Sequence, residues 1–251
     1  MELNRVELAL KEIYDGWQLG NACENNGYSA MFRMGFPDEY IESDRPLLMY
    51  VGQEDLNGNK GKPQEWIRKY QTIQRTKNND IDPNEDVRYS PFWELYRTFC
   101  DMGYNSLWNN LDKLLKIEID ETDSEKVQTK PLGKEEAVAF NAPYGEEGIS
   151  VLQREINLLR PKVIVFAIGP REKYRASLAS AFSVDASLLY KYKPTCKKPV
   201  QEITTVLGVE NVSVLWTYHP KFLRLRKLEA MVLIKIKQVT HTRRNRLCMK
   251  N

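Results

Sequence analysis

The chain has 251 residues, room for one large domain or two small ones, and 42% of them are hydrophobic, enough for a sizeable core. Charged residues reach 28%, the mean hydropathy is −0.54, and no run of about 18 apolar residues occurs, which argues against a membrane span. Cys23, Cys100, Cys196 and Cys248 form no C-x-x-C pair and only two histidines accompany them, which argues against a zinc site or a disulfide framework, and no cofactor is expected.

The opening Met1-Glu2-Leu3-Asn4-Arg5 lacks the layout of a secretion signal, so cytoplasm is the expected address. Val6, Leu10, Ile13 and Trp17 recur at helical spacing and predict a first helix. Leu47-Leu48-Met49-Tyr50-Val51, stopped by Gly52, reads as a buried strand, and Asn57 to Pro63 as a loop. Ser90-Pro91 is an N-cap with proline at the first helical position, opening a helix with Phe92, Leu95, Tyr96 and Phe99. Ser106-Leu107-Trp108-Asn109 is a second strand. Residues 118–147 carry nine acids and three bases and read mostly as a surface insertion. Ile149, Leu152, Ile156 and Leu159 mark a helix that leads through Arg160-Pro161 into a strand over Lys162 to Gly169. Val212 to Trp216 is the last strand, followed by a helix over about 225 to 239 and a basic tail at 240–251. Residues 219–251 hold ten Lys/Arg against one Glu, which attracts phosphates if it forms a basic face and is otherwise a solvated helix surface.

Strands alternating with helices imply an α/β domain spanning 1–251, with a parallel sheet covered on both faces. In such sheets functional residues gather beyond the carboxyl ends of the strands. Four polar segments fall there. Gln53-Glu54-Asp55 offers two carboxylates able to hold a water or offset a cation, although acids in a loop are commonly solvated turns. Asn109-Asn110 offers amides suited to a pyrimidine edge, against the bland reading of a turn or cap. Gly169-Pro170 closes the third strand. His219-Pro220 offers an imidazole for charge on a leaving group, against a histidine packed at a domain edge. Lys221-Phe222-Leu223-Arg224-Leu225-Arg226-Lys227 then mixes bases that grip phosphates with apolar residues that fill the gap left by an extruded base. Tyr190, Lys191, Tyr192, Lys193, Lys197 and Lys198 read as a polar surface loop, with a DNA groove as the alternative.

Together these segments resemble the uracil-DNA glycosylase superfamily, over residues from about 45 to 228. Gly52-Gln53-Glu54 is similar to its water-activating motif, commonly Gly-Gln-Asp-Pro-Tyr, and Trp108-Asn109-Asn110-Leu111 to the segment bearing its base-reading asparagine. Leu159-Arg160-Pro161 with the following strand, and His219-Pro220, complete the series in family order. The resemblance implies a three-layer α/β/α sandwich on a four-stranded parallel sheet. It also implies an enzyme that flips a pyrimidine nucleotide out of DNA and hydrolyses its N-glycosidic bond through an oxocarbenium-like sugar. By register Glu54, with Asp55 as the alternative, positions water; His219 steadies the departing base; Gln53 with Asn109 or Asn110 binds it. Lys221, Phe222, Leu223, Arg224, Arg226 and Lys227 contact DNA, the expected partner, with no protein partner evident.

The departures are specific. The family aspartate is Glu54, Pro-Tyr is Asp55-Leu56, and the serine after His-Pro is Lys221. The iron–sulfur branches require cysteines this chain lacks. In uracil-specific members the missing tyrosine blocks the 5-methyl of thymine, so its loss points to a pocket open at C5. The expected substrate is therefore uracil or a 5-substituted, hypermodified cytosine, the latter fitting defence against phage DNA and the former DNA repair. The competing readings are a non-catalytic nucleic-acid-binding protein on the same fold and a small-molecule enzyme on a doubly wound sheet. The latter lacks any glycine-rich phosphate signature.

Overall fold

A computed structural model describes residues 2–23, 26–53, 64–77, 89–120 and 123–248. Helix α1 (Arg5–Asp15) starts at a capping box, in which Asn4 accepts from the Val6 and Glu7 amides and Glu7 reaches back to the Asn4 amide. It buries Leu10 and Tyr14, and the short α2 (Gln18–Cys23) follows. Strand β1 (Leu47–Gly52) is the predicted apolar run. Helices α3 (Gln64–Thr76) and α4 (Pro91–Asp101) precede β2 (Asn105–Asn110), and α4 begins as expected with Ser90 accepting from the Trp93 amide.

Residues 118–147, expected to be mostly a surface insertion, include described secondary structure. Strands β3 (Lys116–Asp120) and β4 (Asp123–Lys130) pair antiparallel, and helix α5 (Lys134–Phe140) packs against a later helix with Ala137 fully buried. The acidic composition masked the few apolar positions, Leu132 and Ala137, that fasten this segment to the core.

The remainder is α6 (Val151–Leu159), β5 (Val163–Phe166), α7 (Glu172–Ala181), α8 (Ala186–Lys191), β6 (Val200–Glu202), α9 (Thr204–Leu207), β7 (Ser213–Thr217), α10 (Pro220–Leu225) and α11 (Glu229–Cys248). Helix α11 continues through most of the stretch expected to be a tail. Helix α6 stops at Arg160, whose φ of 47° is left-handed, with Pro161 barring continuation.

The sheet order is β2-β1-β5-β7-β6. The first four strands are parallel, as the resemblance implies; β6 adds an antiparallel fifth at the edge, too short and too polar to register as a strand in the sequence. Consecutive side chains on a strand point to opposite faces. Tyr50 stacks on Phe92 and meets Phe99, both of α4, while Asn109 reaches Glu155 of α6. One helical layer therefore holds α3, α4, α10 and α11, and the other α1, α5, α6 and α7, which closes a three-layer sandwich. Among the described residues no helix is long and apolar enough to cross a membrane.

Candidate functional site

The chain leaves β1 for β2 on one side, then returns past β1 to β5 on the other. The connections after β1 and β5 thus diverge, and the crevice between their carboxyl ends is the switch point at which open α/β sheets bind ligands. Gln53 spans that crevice, its Nε2 donating to the Ile168 carbonyl at 2.7 Å. Gly169, with φ of 74°, lies beneath it: a Cβ there would stand 4.0 Å from Gln53 Nε2 and 3.8 Å from the His219 amide nitrogen. Three segments from three strand ends thus meet at one place. Glu54 and Asp55 lie outside the described residues.

The two asparagines separate by parity. Asn109 points toward α6, where its Nδ2 donates to Glu155 at 2.8 Å and its Oδ1 accepts from Lys113 Nζ. Glu155 also accepts from Lys113 Nζ at 2.7 Å and from the Tyr14 hydroxyl at 2.7 Å, all within the core. Both ends of the Asn109 amide are engaged with buried charges, so the reading of Asn109 as a base-binding residue is corrected.

Asn110 faces the other way, beside Gly52, where a Cβ would come within 3.0 Å of Asn110 Oδ1 and 3.1 Å of Phe92 Cε2. The Trp108 indole N–H donates to Asn110 Oδ1 at 3.1 Å. An indole nitrogen is only a donor, so this bond fixes which end of the amide is which. Asn110 Nδ2 is left buried without a partner among the described residues. A buried amide N–H2 left unpaired costs roughly 1–3 kcal/mol, a cost commonly retained where a ligand supplies the acceptor.

His219 lies two residues beyond β7 and caps α10. Its Nδ1 accepts from the Lys221 amide at 3.2 Å, which puts the proton of the neutral ring on Nε2. Burial, with Lys221 and Arg171 adding to it, holds the imidazole below its ordinary pKa, so at neutral pH it is an uncharged donor.

The basic block divides. Lys221, Arg226 and Lys227 are exposed, and Arg226 lies 5.7 Å from the Phe222 ring centroid. Phe222 is half-buried and stacks on Tyr218 with ring centroids 4.2 Å apart. Leu223 is fully buried, which corrects its assignment to DNA contact; Leu225, 72% exposed, is the apolar tip of this helix. Arg224 pairs with Glu94 at 2.5 Å and Glu229 at 3.1 Å, which ties α10 to α4.

Sequence reasoning missed Phe92, which packs on Tyr50 at 4.3 Å and stands beside Asn110. It missed the role of Trp108 as well. Both fit apolar periodicity, and no sequence signal separates a helix-facing aromatic from one at a strand end. A cavity of about 560 Å³ opens elsewhere, at the amino ends of β5 and β7, lined by Arg160, Lys162, Phe182 and Asn211 among others. None of the candidate residues lines it. No family model, curated protein or solved structure matches the chain.

Proposed function

We propose that the chain is a DNA glycosylase that flips out a pyrimidine nucleotide and hydrolyses its N-glycosidic bond. The observation that carries the reading is Asn110, at the carboxyl end of β2 opposite Gly52: its Oδ1 is held by the Trp108 indole and its buried Nδ2 has no partner among the described residues. Its Nδ2 donates to a carbonyl oxygen of the extruded base, and Phe92 offers an aromatic face beside it. His219, neutral with its proton on Nε2, donates to the departing base as negative charge develops there. The sugar passes through a cationic state, which the Glu54 carboxylate, or that of Asp55, offsets while positioning the attacking water. Uracil and 5-substituted cytosines both present a carbonyl oxygen, O2, able to accept from such a donor.

The test is base release. Purified protein is incubated with oligonucleotides carrying uracil, mismatched thymine, 5-hydroxymethylcytosine or its glucosylated form, then alkali reveals abasic sites. Release confined to uracil identifies a repair enzyme and removes the open-pocket idea. Release of a bulky modified cytosine identifies a defence enzyme. Release of none, with DNA binding retained, supports the second reading, a non-catalytic DNA-binding protein, which the exposed Lys221, Arg226 and Lys227 favour. The double variant Glu54→Gln, Asp55→Asn separates the two: under the catalytic reading it loses about 10²-fold or more of base release and keeps DNA affinity.

A further inference from the structure

Residues 186–199 contain four lysines and no acid. Lys191, Lys197 and Lys198 are exposed, Lys193 lies 3.9 Å from the Tyr190 ring centroid, and none of the four pairs with a carboxylate among the described residues. This contrasts with Arg224, which two carboxylates hold.

The fold carries this segment to the crevice. Antiparallel β6 sets Val200 against Thr217, and the Thr217 hydroxyl donates to the Pro199 carbonyl at 2.8 Å. Residues before Pro199 therefore emerge at the carboxyl end of β7, where His219 lies. They form a tight turn: the Thr195 amide donates to the Lys198 carbonyl and the Lys198 amide to the Thr195 carbonyl, both at 3.0 Å, and the Lys198 amide also reaches Thr195 Oγ1 at 3.1 Å. Cys196 at the turn contacts the Tyr218 phenol, and Tyr218 in turn stacks on Phe222 of α10. The turn is thus a preformed element braced on the residue before His219, with the exposed bases of α10 on the far side of that stack.

From this placement we infer that the 195–198 turn, with Lys191 and Lys193, is a second phosphate grip, holding the DNA strand against α10 as it passes His219. The inference rests on the glycosylase reading for the identity of the polyanion. The lysines act as point charges on successive phosphates, and their contribution is independent of sequence. They touch no reacting atom, so they govern affinity and its salt dependence and not the bond-breaking step.

The experiment compares the parent with Lys197→Gln, Lys198→Gln, and with Arg160→Gln, Lys162→Gln, which removes the same charge at the opposite end of the sheet. Duplex affinity is measured against salt. Losing two phosphate contacts lowers the slope of log K against log salt by about 1.8, so the affinity gap to the parent narrows about twelve-fold between roughly 0.05 and 0.2 M salt. The supporting result is that loss in the turn variant, the parent slope in the opposite-end variant, unchanged melting, and parental base release at saturating DNA in low salt. A parental slope in the turn variant, or an equal loss in both variants, overturns the inference. Loss of polyglutamate binding with an unchanged DNA slope also overturns it and assigns the turn to an acidic protein. A parent that releases no base sinks the glycosylase reading, while the slopes still decide the grip.

Discussion

Asn109 and Asn110 are adjacent and chemically identical, yet the pleat gives them opposite consequences. Asn109→Leu removes one hydrogen bond to the Glu155 carboxylate and one from the Lys113 ammonium, in a site where neither charge reaches water. Hydrogen bonds to charged groups contribute about 1.5–3 kcal/mol each, so the loss is roughly 3–6 kcal/mol. For a domain of this size that lowers the melting temperature by on the order of 10 °C. Asn110→Leu leaves the buried Trp108 N–H without its acceptor, a loss of about 1–3 kcal/mol, and also removes the Nδ2 that has no partner among the described residues, a gain of about 1–3 kcal/mol. Its net effect on stability lies within about 2 kcal/mol of zero. On base release the order reverses: Asn110→Leu loses the donor to the base, about 10- to 100-fold in rate, if one hydrogen bond to a polarised base contributes about 1.5–3 kcal/mol. The assays are thermal melting of both variants and single-turnover base release, each measured well below its melting point. A destabilised Asn110→Leu beside a stable Asn109→Leu would refute the assignment of faces. Parental release by Asn110→Leu would refute its role in reading the base.

Three further outcomes are expected. Because the His219 ring is needed neutral and its pKa is depressed below the ordinary 6.5 by burial, Lys221 and Arg171, base release holds at neutral pH and falls as pH drops through that lowered value; His219→Gln should remove that contribution to the acid limb and leave the part set by the water-positioning carboxylate. Leu223→Ala, in the core, should lose about 2–5 kcal/mol of stability, whereas Leu225→Ala should melt as the parent and lose base release from duplex more than from single-stranded DNA, where no gap needs filling. Arg224→Ala should leave the salt dependence of DNA binding unchanged, because Glu94 and Glu229 already neutralise it; a shallower slope would show that the arginine leaves those partners for phosphate.

Much of the frame was legible because burial writes itself into apolar runs. Leu47–Gly52 and Val163–Phe166 are strands with almost no exposed side chain, and Ser90-Pro91 opens α4 with its predicted cap. What the sequence hid depends on distant partners. Strand β6 exists through its pairing with β7, not through its own three residues. Asn109 is a core residue only because Glu155, 46 positions later, comes to meet it. Leu223 and Leu225 are two residues apart on a short amphipathic helix, and only the packing of α10 says which of them faces in. The pairing of Arg224 was equally invisible, since Glu94 lies on a helix remote in sequence.

Position and chemistry were legible to different degrees, and the topology explains why. The place of the site follows from strand order: only between β1 and β5 do the connections diverge at the carboxyl ends of neighbouring parallel strands, and Gln53 already bridges that gap. The cavity at the amino ends of β5 and β7 has no such origin; it lies where the turns after α6 and α9 meet, and no unpartnered buried side-chain atom belongs to its lining. At the carboxyl end Asn110 Nδ2 is such an atom, and His219 supplies a donor with a fixed tautomer. A ligand that satisfies both must carry hydrogen-bond acceptors. On the proposed reading that ligand is an extruded pyrimidine, and the exposed lysines near the Tyr218–Phe222 stack would hold the strand that delivers it.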